Sequence, residues 1–302
     1  MSFNFNQKND GTALLKYSVG VYLKALPKTF LLSALIIGVL YLIRVAPEWI
    51  PAAYQEDVSL GIMFAYIAIL PILSLIFYTT DTSAKQTQHT LTEYLILPFK
   101  RILSLFGSLI SMCLLPIIIA VFGFAVFLLS IKFTVDVRLI FFIPLFFYGL
   151  VFLSLLPKLY APILTITDNM DTNTALETSI AASKGYFIRN AIYIGFGVTL
   201  LLGICALPNL LQYYCPAIIS NLPKWAPLTM SAVLFVFIFP WVAAILICHK
   251  IDLLYRYKIK KEQEAIDLKK NFAYEHKIKK AGANIIEDQK QVKPMDNNDV
   301  EF

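Results

Sequence analysis

Acid–base work on a lipid substrate needs carboxylates, imidazoles or hydroxyls gathered at the membrane surface, and the sequence offers one such grouping, Asp81 with His89 and Glu93. With His89, His249 and His276 as the only histidines, no fuller catalytic set can be assembled. The same residues have a plainer use. Thr90 stands three before Glu93, the spacing of a capping box, so Glu93 reads as a helix start and Asp81 and His89 as loop polarity. Cys113, Cys205, Cys215 and Cys248 form no CxxC pair, and only the adjacent Cys248-His249 brings a histidine close, so neither a zinc site nor a disulfide framework is expected. Cys205 and Cys215 fall towards one end of the same apolar run, which leaves one bridge open beside ordinary packing. Glu48, Glu56 and Asp57 read as a solvated turn rather than a cation site. No catalytic, metal or cofactor residue is assigned, and the chain is expected not to be an enzyme.

The elements that would have to position such groups are apolar. Six long runs, at about 29 to 46, 58 to 79, 102 to 131, 139 to 157, 190 to 212 and 228 to 249, approach or reach the ~20 residues a helix needs to cross a hydrocarbon core. Of the 302 residues, 58% are hydrophobic and 15% charged, which on a water-soluble domain would leave large exposed apolar patches. The expected class is therefore all-α, an integral membrane protein of six spans, with amphipathic interfacial helices before spans 1, 3 and 5. Residues 1 to 28 are polar to amphipathic and no cleavage site follows the first run, so that run is expected to be a retained span.

Lysine and arginine placement predicts orientation. An N-terminus in the cytoplasm puts Lys8, Lys16, Lys24, Lys28, Lys85, Lys100, Arg101, Lys158, Lys184 and Arg189 on the cytoplasmic side, together with the basic residues from Lys250 onward. Arg44, Lys132, Arg138 and Lys224 fall outside, where Trp49, Tyr54, Tyr213, Tyr214 and Trp225 mark an interfacial belt. The net charge of +6 then reflects orientation and contact with anionic headgroups, not nucleic acid. Headgroup contacts are expected at Lys16, Lys24, Lys100, Arg101, Lys184, Arg189, Lys258, Lys260 and Lys261.

A similar segment precedes spans 1, 3 and 5. In the first, Leu15, Val19, Tyr22 and Leu26 form one apolar stripe; in the third, Leu176, Ile180 and Phe187 do so after a Thr174-x-x-Glu177 capping box. The second carries Thr90 and Glu93, but Pro98 should end or kink its helix. This suggests three units, 10 to 80, 88 to 158 and 172 to 250, within a six-span domain of residues 1–256. Thr12-Ala13-Leu14 with Ser18, and Thr174-Ala175-Leu176 with Ser179, are the residues that compare most directly, and any helix entering an interface shares this character.

Tyr160-Ala161-Pro162-Ile163-Leu164, Asp168, Ala175-Leu176, Ser179, Lys184-Gly185 and Phe187, followed by a new apolar run, resemble a recurring segment of bacterial multi-spanning proteins. The segment looks like part of the YciC-like proteins and of the membrane domain attached to some glycerophosphodiester phosphodiesterases. That resemblance implies the span layout and a bacterial inner membrane; it implies no activity.

The interiors of the runs offer no ionisable residue, and Arg44, Arg138, Lys158, His249 and Lys250 sit at run ends, where long side chains are expected to snorkel to headgroups. Pro71, Pro116, Pro144 and Pro240 fall inside four spans, as packing kinks or as breaks around a substrate site. Ser74, Ser108, Ser111, Ser154, Thr199, Ser231 and Tyr148 are expected to bond between helices. Residues 257–302 read as a charged tail, helical and then, beyond about Ala283, disordered. Three function classes follow: a non-catalytic protein that organises lipids or partner proteins through its interfacial helices and basic tail, a transporter or channel component using the proline-kinked spans, and a lipid-acting enzyme. The first needs no buried charge and fits the sequence best.

Overall fold

A computed structural model describes residues 11–49, 55–87, 90–133, 137–214 and 226–291. Lys8, Tyr54, His89, Cys215, Lys224, Trp225 and Pro294 lie outside them, as do the side chains of Arg44, Glu48, Trp49, Glu56, Asp57, Arg138, Cys205 and His276. The described chain is helical, and six of its helices are long and apolar enough to cross a membrane. This is an integral, multi-pass membrane architecture.

The long helices are α1 (Gly11–Trp49), α2 (Gln55–Lys85), α4 (Ile102–Lys132), α5 (Val137–Leu155), α8 (Phe187–Tyr214) and α9 (Ala226–Gln291); α3 (Leu91–Lys100), α6 (Ala161–Thr167) and α7 (Thr172–Ser183) are the short ones. The segment before the first span is helical but runs into it without a break, so α1 is one helix. α3 and α7 are separate. Thr90 and Glu93 do form the capping box: Thr90 N–H donates to Glu93 Oε2 at 3.0 Å and Glu93 N–H to Thr90 Oγ1 at 3.4 Å. For α7 the cap lies three residues earlier than expected, at Asp171, whose carboxylate accepts from Thr174 N–H at 3.3 Å. Hydrogen bonds from Thr174 hold the Asp171 carboxyl below its usual range.

α1 packs along α2, and α4 along α5. α8 meets α9 antiparallel, with Gly197 close to Val242, Tyr193 against His249 and Arg189 paired to Asp252. The buried face of α1 is Leu14, Ser18, Val21, Ala25, Thr29, Ser33 and Ile36. That corrects the expected stripe, because Leu15, Tyr22 and Leu26 are only half-buried and Val19 is exposed. α7 does the same, burying Ala175, Ser179, Ala182 and Ser183 while Ile180, and Phe187 at the start of α8, face outward. In lipid, large apolar side chains gain little by turning inward, so Ser18, Ala25, Thr29 and Ser33, which let backbones approach, share the contact face of α1 with Leu14, Val21 and Ile36.

The hydroxyls expected to join helices mostly do not. Ser74, Ser108 and Ser154 donate to carbonyls of their own helices, those of Leu70, Leu105 and Val151, and Tyr148 is exposed. Pro71, Pro116, Pro144 and Pro240 all lie inside continuous helices. The break in a span falls elsewhere, where α5 gives way to a 3-10 turn at Leu156–Lys158 and then to α6, opened by Ala161-Pro162.

The chain divides after Leu254. In the unit that begins at Tyr255, Lys261 lies over the Tyr257 ring, 5.0 Å from its centroid, and Lys260 stands 4.0 Å from Glu264. Helix is continuous as far as Gln291, past Ala283.

Candidate functional site

Between Val242 and Leu253 nearly every residue of α9 is buried, whichever way it faces. A helix enclosed all round is the core of its bundle. Its last buried turns carry Cys248, His249, Lys250 and Asp252, and the structure corrects the expectation that His249 and Lys250 snorkel: His249 is 0% and Lys250 1% exposed. What makes this tolerable is the set of groups brought to them by α2, α6 and α8.

Lys250 Nζ donates to Asp81 Oδ1 at 2.8 Å, to Asp168 Oδ2 at 2.7 Å and to Thr167 Oγ1 at 2.7 Å. Lys85 Nζ takes the two remaining carboxylate oxygens, Asp81 Oδ2 at 2.7 Å and Asp168 Oδ1 at 2.9 Å. Two ammoniums and two carboxylates thus alternate in a closed ring in which every carboxylate oxygen has a cation. Burial alone would raise the Asp168 carboxyl; Lys250 and Lys85 outweigh it and bring it down to about 2. The ring has a buried side and an open one, since the side chains of Lys250 and Asp81 are 1% and 3% exposed and those of Lys85 and Asp168 34% and 21%.

Local structure explains how three elements meet here. Asp81 and Lys85 are one turn apart at the end of α2, an i,i+4 pair on one face. Asp168 is the C-cap of α6, so its carboxylate stands where the helix ends, and the Thr167 hydroxyl donates back to Ile163 O at 2.8 Å. Both segments turn away at once. Gln86 and Asn169, each one residue past a ring member, have φ of 56° and 58°, the left-handed region that non-glycine residues rarely adopt. Asn169 is held there by a hydrogen bond from Arg101 Nε.

Beside the ring, the Tyr160 hydroxyl meets His249 Nδ1, and the Tyr193 ring lies against the imidazole with centroids 4.4 Å apart. The Tyr193 hydroxyl donates to the Gly11 carbonyl at 3.2 Å, which ties α8 to the start of α1. Arg189 pairs with the buried Asp252 at 2.9 Å. Both amide atoms of Asn190, itself buried, lack a hydrogen-bond partner. α7 closes over the span break: Ser179 donates to Pro157 O at 2.8 Å, and Thr172 to Ser104 O at 3.0 Å.

The residues expected to touch headgroups divide. Lys16, Lys24, Lys100, Lys184, Lys258, Lys260 and Lys261 are exposed, whereas Arg101 is half-buried on Asn169 and Arg189 turns to Asp252. Asp81 faces Lys85 and Lys250, and Glu93 caps α3, so the structure does not bring these two together as a catalytic pair. Sequence reasoning missed the ring because Lys250 sits at a run end and Asp81, Lys85 and Asp168 lie in the connections beyond the runs, where a charge has an ordinary explanation. Two signals were present: the Asp81/Lys85 spacing, and Tyr160 and Asp168 inside one conspicuous segment. No family model matches the chain, and neither the curated proteins nor the solved structures contain a match.

Proposed function

We propose that this chain is a non-catalytic multi-pass protein of a bacterial inner membrane, with both termini in the cytoplasm, that organises anionic lipids or a partner protein through its basic face and tail. The carrying observation is the division of charge. The buried Asp81 and Lys250 and the half-buried Asp168 and Lys85 are satisfied by one another, while Lys16, Lys24, Lys100 and Lys184 point outward. Basic side chains at that depth attract anionic headgroups by about 1 kcal/mol each. Tyr186, Phe187, Ile188 and Ile192 line an open groove beside Lys184 that suits acyl chains. Purification in mild detergent, with bound lipid and protein identified for the full chain and for a chain ending at Lys258, tests this. Anionic lipid on both forms, or a partner on the full chain alone, supports it; neutral lipid only and no partner on either rejects it.

A transporter component is the second reading, favoured by the interrupted fourth span and by a buried charged ring where α2, α6 and α9 meet. Substrate counterflow by the purified protein in vesicles would establish it in place of the first.

A further inference from the structure

The ring is not symmetric, and the asymmetry suggests movement. Asp81 and Lys85 belong to α2, Asp168 caps α6, and Lys250 alone comes from α9. Withdrawing Lys250 leaves both carboxylates still bridged by Lys85, so α2 and α6 stay joined and neither acid is left without a cation. Withdrawing Lys85 leaves the pair equally bridged by Lys250. A buried charge abandoned by its partner is expensive; here each ammonium covers for the other. Of the two departures, only that of Lys250 removes the ion pairs of α9 with α2 and α6; the contacts of His249 with Tyr160 and of Asp252 with Arg189 remain.

The surroundings fit a part that lets go. Gln86 and Asn169, in left-handed conformations, follow the two segments that stay joined, and the contacts that hold such backbone keep the acid pair in place. Lys85 and Asp168 already touch the outside, so water can reach the ring from that side. Behind Lys250, α9 is sealed: Ile247, Cys248 and His249 are 0% exposed.

From this arrangement the geometry points to a releasable bolt: Lys250 closes one end of the bundle by joining α9 to α2 and α6, and its withdrawal opens the interior beside Cys248 while Lys85 keeps the acid pair together. The bolt depends on neither reading of the function. It would serve a transporter as a gate and an organising protein as a switch of its basic face.

Cys248 is a native reporter. In the purified full chain with Cys113, Cys205 and Cys215 replaced by Ala, a water-soluble methanethiosulfonate should modify Cys248 by local opening. It should do so measurably faster than it modifies Ala243→Cys, a site 0% exposed and deeper on the same helix, in a chain also carrying Cys248→Ala. Lys250→Met should speed the Cys248 reaction about tenfold or more and leave the Ala243→Cys reaction unchanged, because the opening is local. Lys85→Met should change the Cys248 rate by less than about twofold, since Lys250 remains in place. The inference is overturned if Lys250→Met labels Cys248 no faster than the parent, or if both positions accelerate together. Should Lys250→Met fail to fold, the parent chain decides: equal rates at Cys248 and at Ala243→Cys mean global unfolding and no bolt.

Discussion

The helices of the α4–α5 hairpin and of the α2–α9 pair are all long and apolar enough to cross a membrane, and the two pairs have opposite surroundings. Over an apolar 18-residue stretch of each span, 11% of residues are buried in α4 and 6% in the span that α5 opens, against 56% in those of both α2 and α9. α4 and α5 join by shape: Gly123 leaves a notch filled by the Phe147 ring, with Phe122 edge-on to it at 5.9 Å. Around them Leu114, Ile117, Phe124 and Phe146 face outward. α2 and α9 join by a core of Ile72, Ile76 and Ala243 shared with Ile36 of α1, and by the ion-pair ring below it. Lipid rewards burial of apolar side chains no more than it rewards their exposure, so polar groups and backbone approach decide which spans become the core.

The largest test of that contrast is Asp81→Ala, which leaves the buried Lys250 and the half-buried Lys85 sharing one carboxylate. It should cost about 3–5 kcal/mol, read as loss of thermal stability in detergent, whereas the same removal of a charge at Lys132, exposed at the end of α4, should be within about 0.5 kcal/mol. A nearly unchanged melting temperature for Asp81→Ala would mean that the ring is not a stabilising core. On the other side of the comparison, Gly123→Val drives a side chain into Phe147 and should destabilise by about 1–3 kcal/mol, with much of the loss recovered in a Gly123→Val, Phe147→Ala double variant. If the two losses simply add, the hairpin does not pack through that notch.

Acidity separates the two regions a second way. Asp168 is depressed to about 2 from an ordinary 3.8, so its contribution is complete above about pH 4 and disappears as pH falls through 2. Unfolding between pH 4 and 2 should therefore steepen in the parent chain by roughly 2 kcal/mol relative to Asp168→Asn. Identical slopes would deny Asp168 its two cations. The smallest expected effect is Thr90→Ala, which removes the reciprocal cap of α3 at a cost of about 1 kcal/mol, seen as faster amide exchange confined to residues 91–100.

Some of the polar arrangement was legible residue by residue. The Thr90–Glu93 cap was readable because both partners lie within one turn. The stripe of α1 was not: apolar periodicity marks Leu15, Val19, Tyr22 and Leu26, but the contact is made one position earlier, by Leu14, Ser18, Val21 and Ala25, where small residues among larger ones let the backbones approach. Lys250 reads in the sequence as snorkelling for a related reason. A lysine at the end of an apolar run has two ways to satisfy its charge, water or a carboxylate, and Asp81 and Asp168 lie 169 and 82 residues away.

Sequence alone determined that the chain is helical and spans a membrane six times, because length and hydropathy are summed along the chain and need no partner. Tertiary structure decided which spans are enclosed, that the break falls at Pro157 and not at the four span prolines, and that four scattered charges close into one ring. Coulomb attraction and desolvation depend on distances through space, and those are set only when α2, α6 and α9 are brought together.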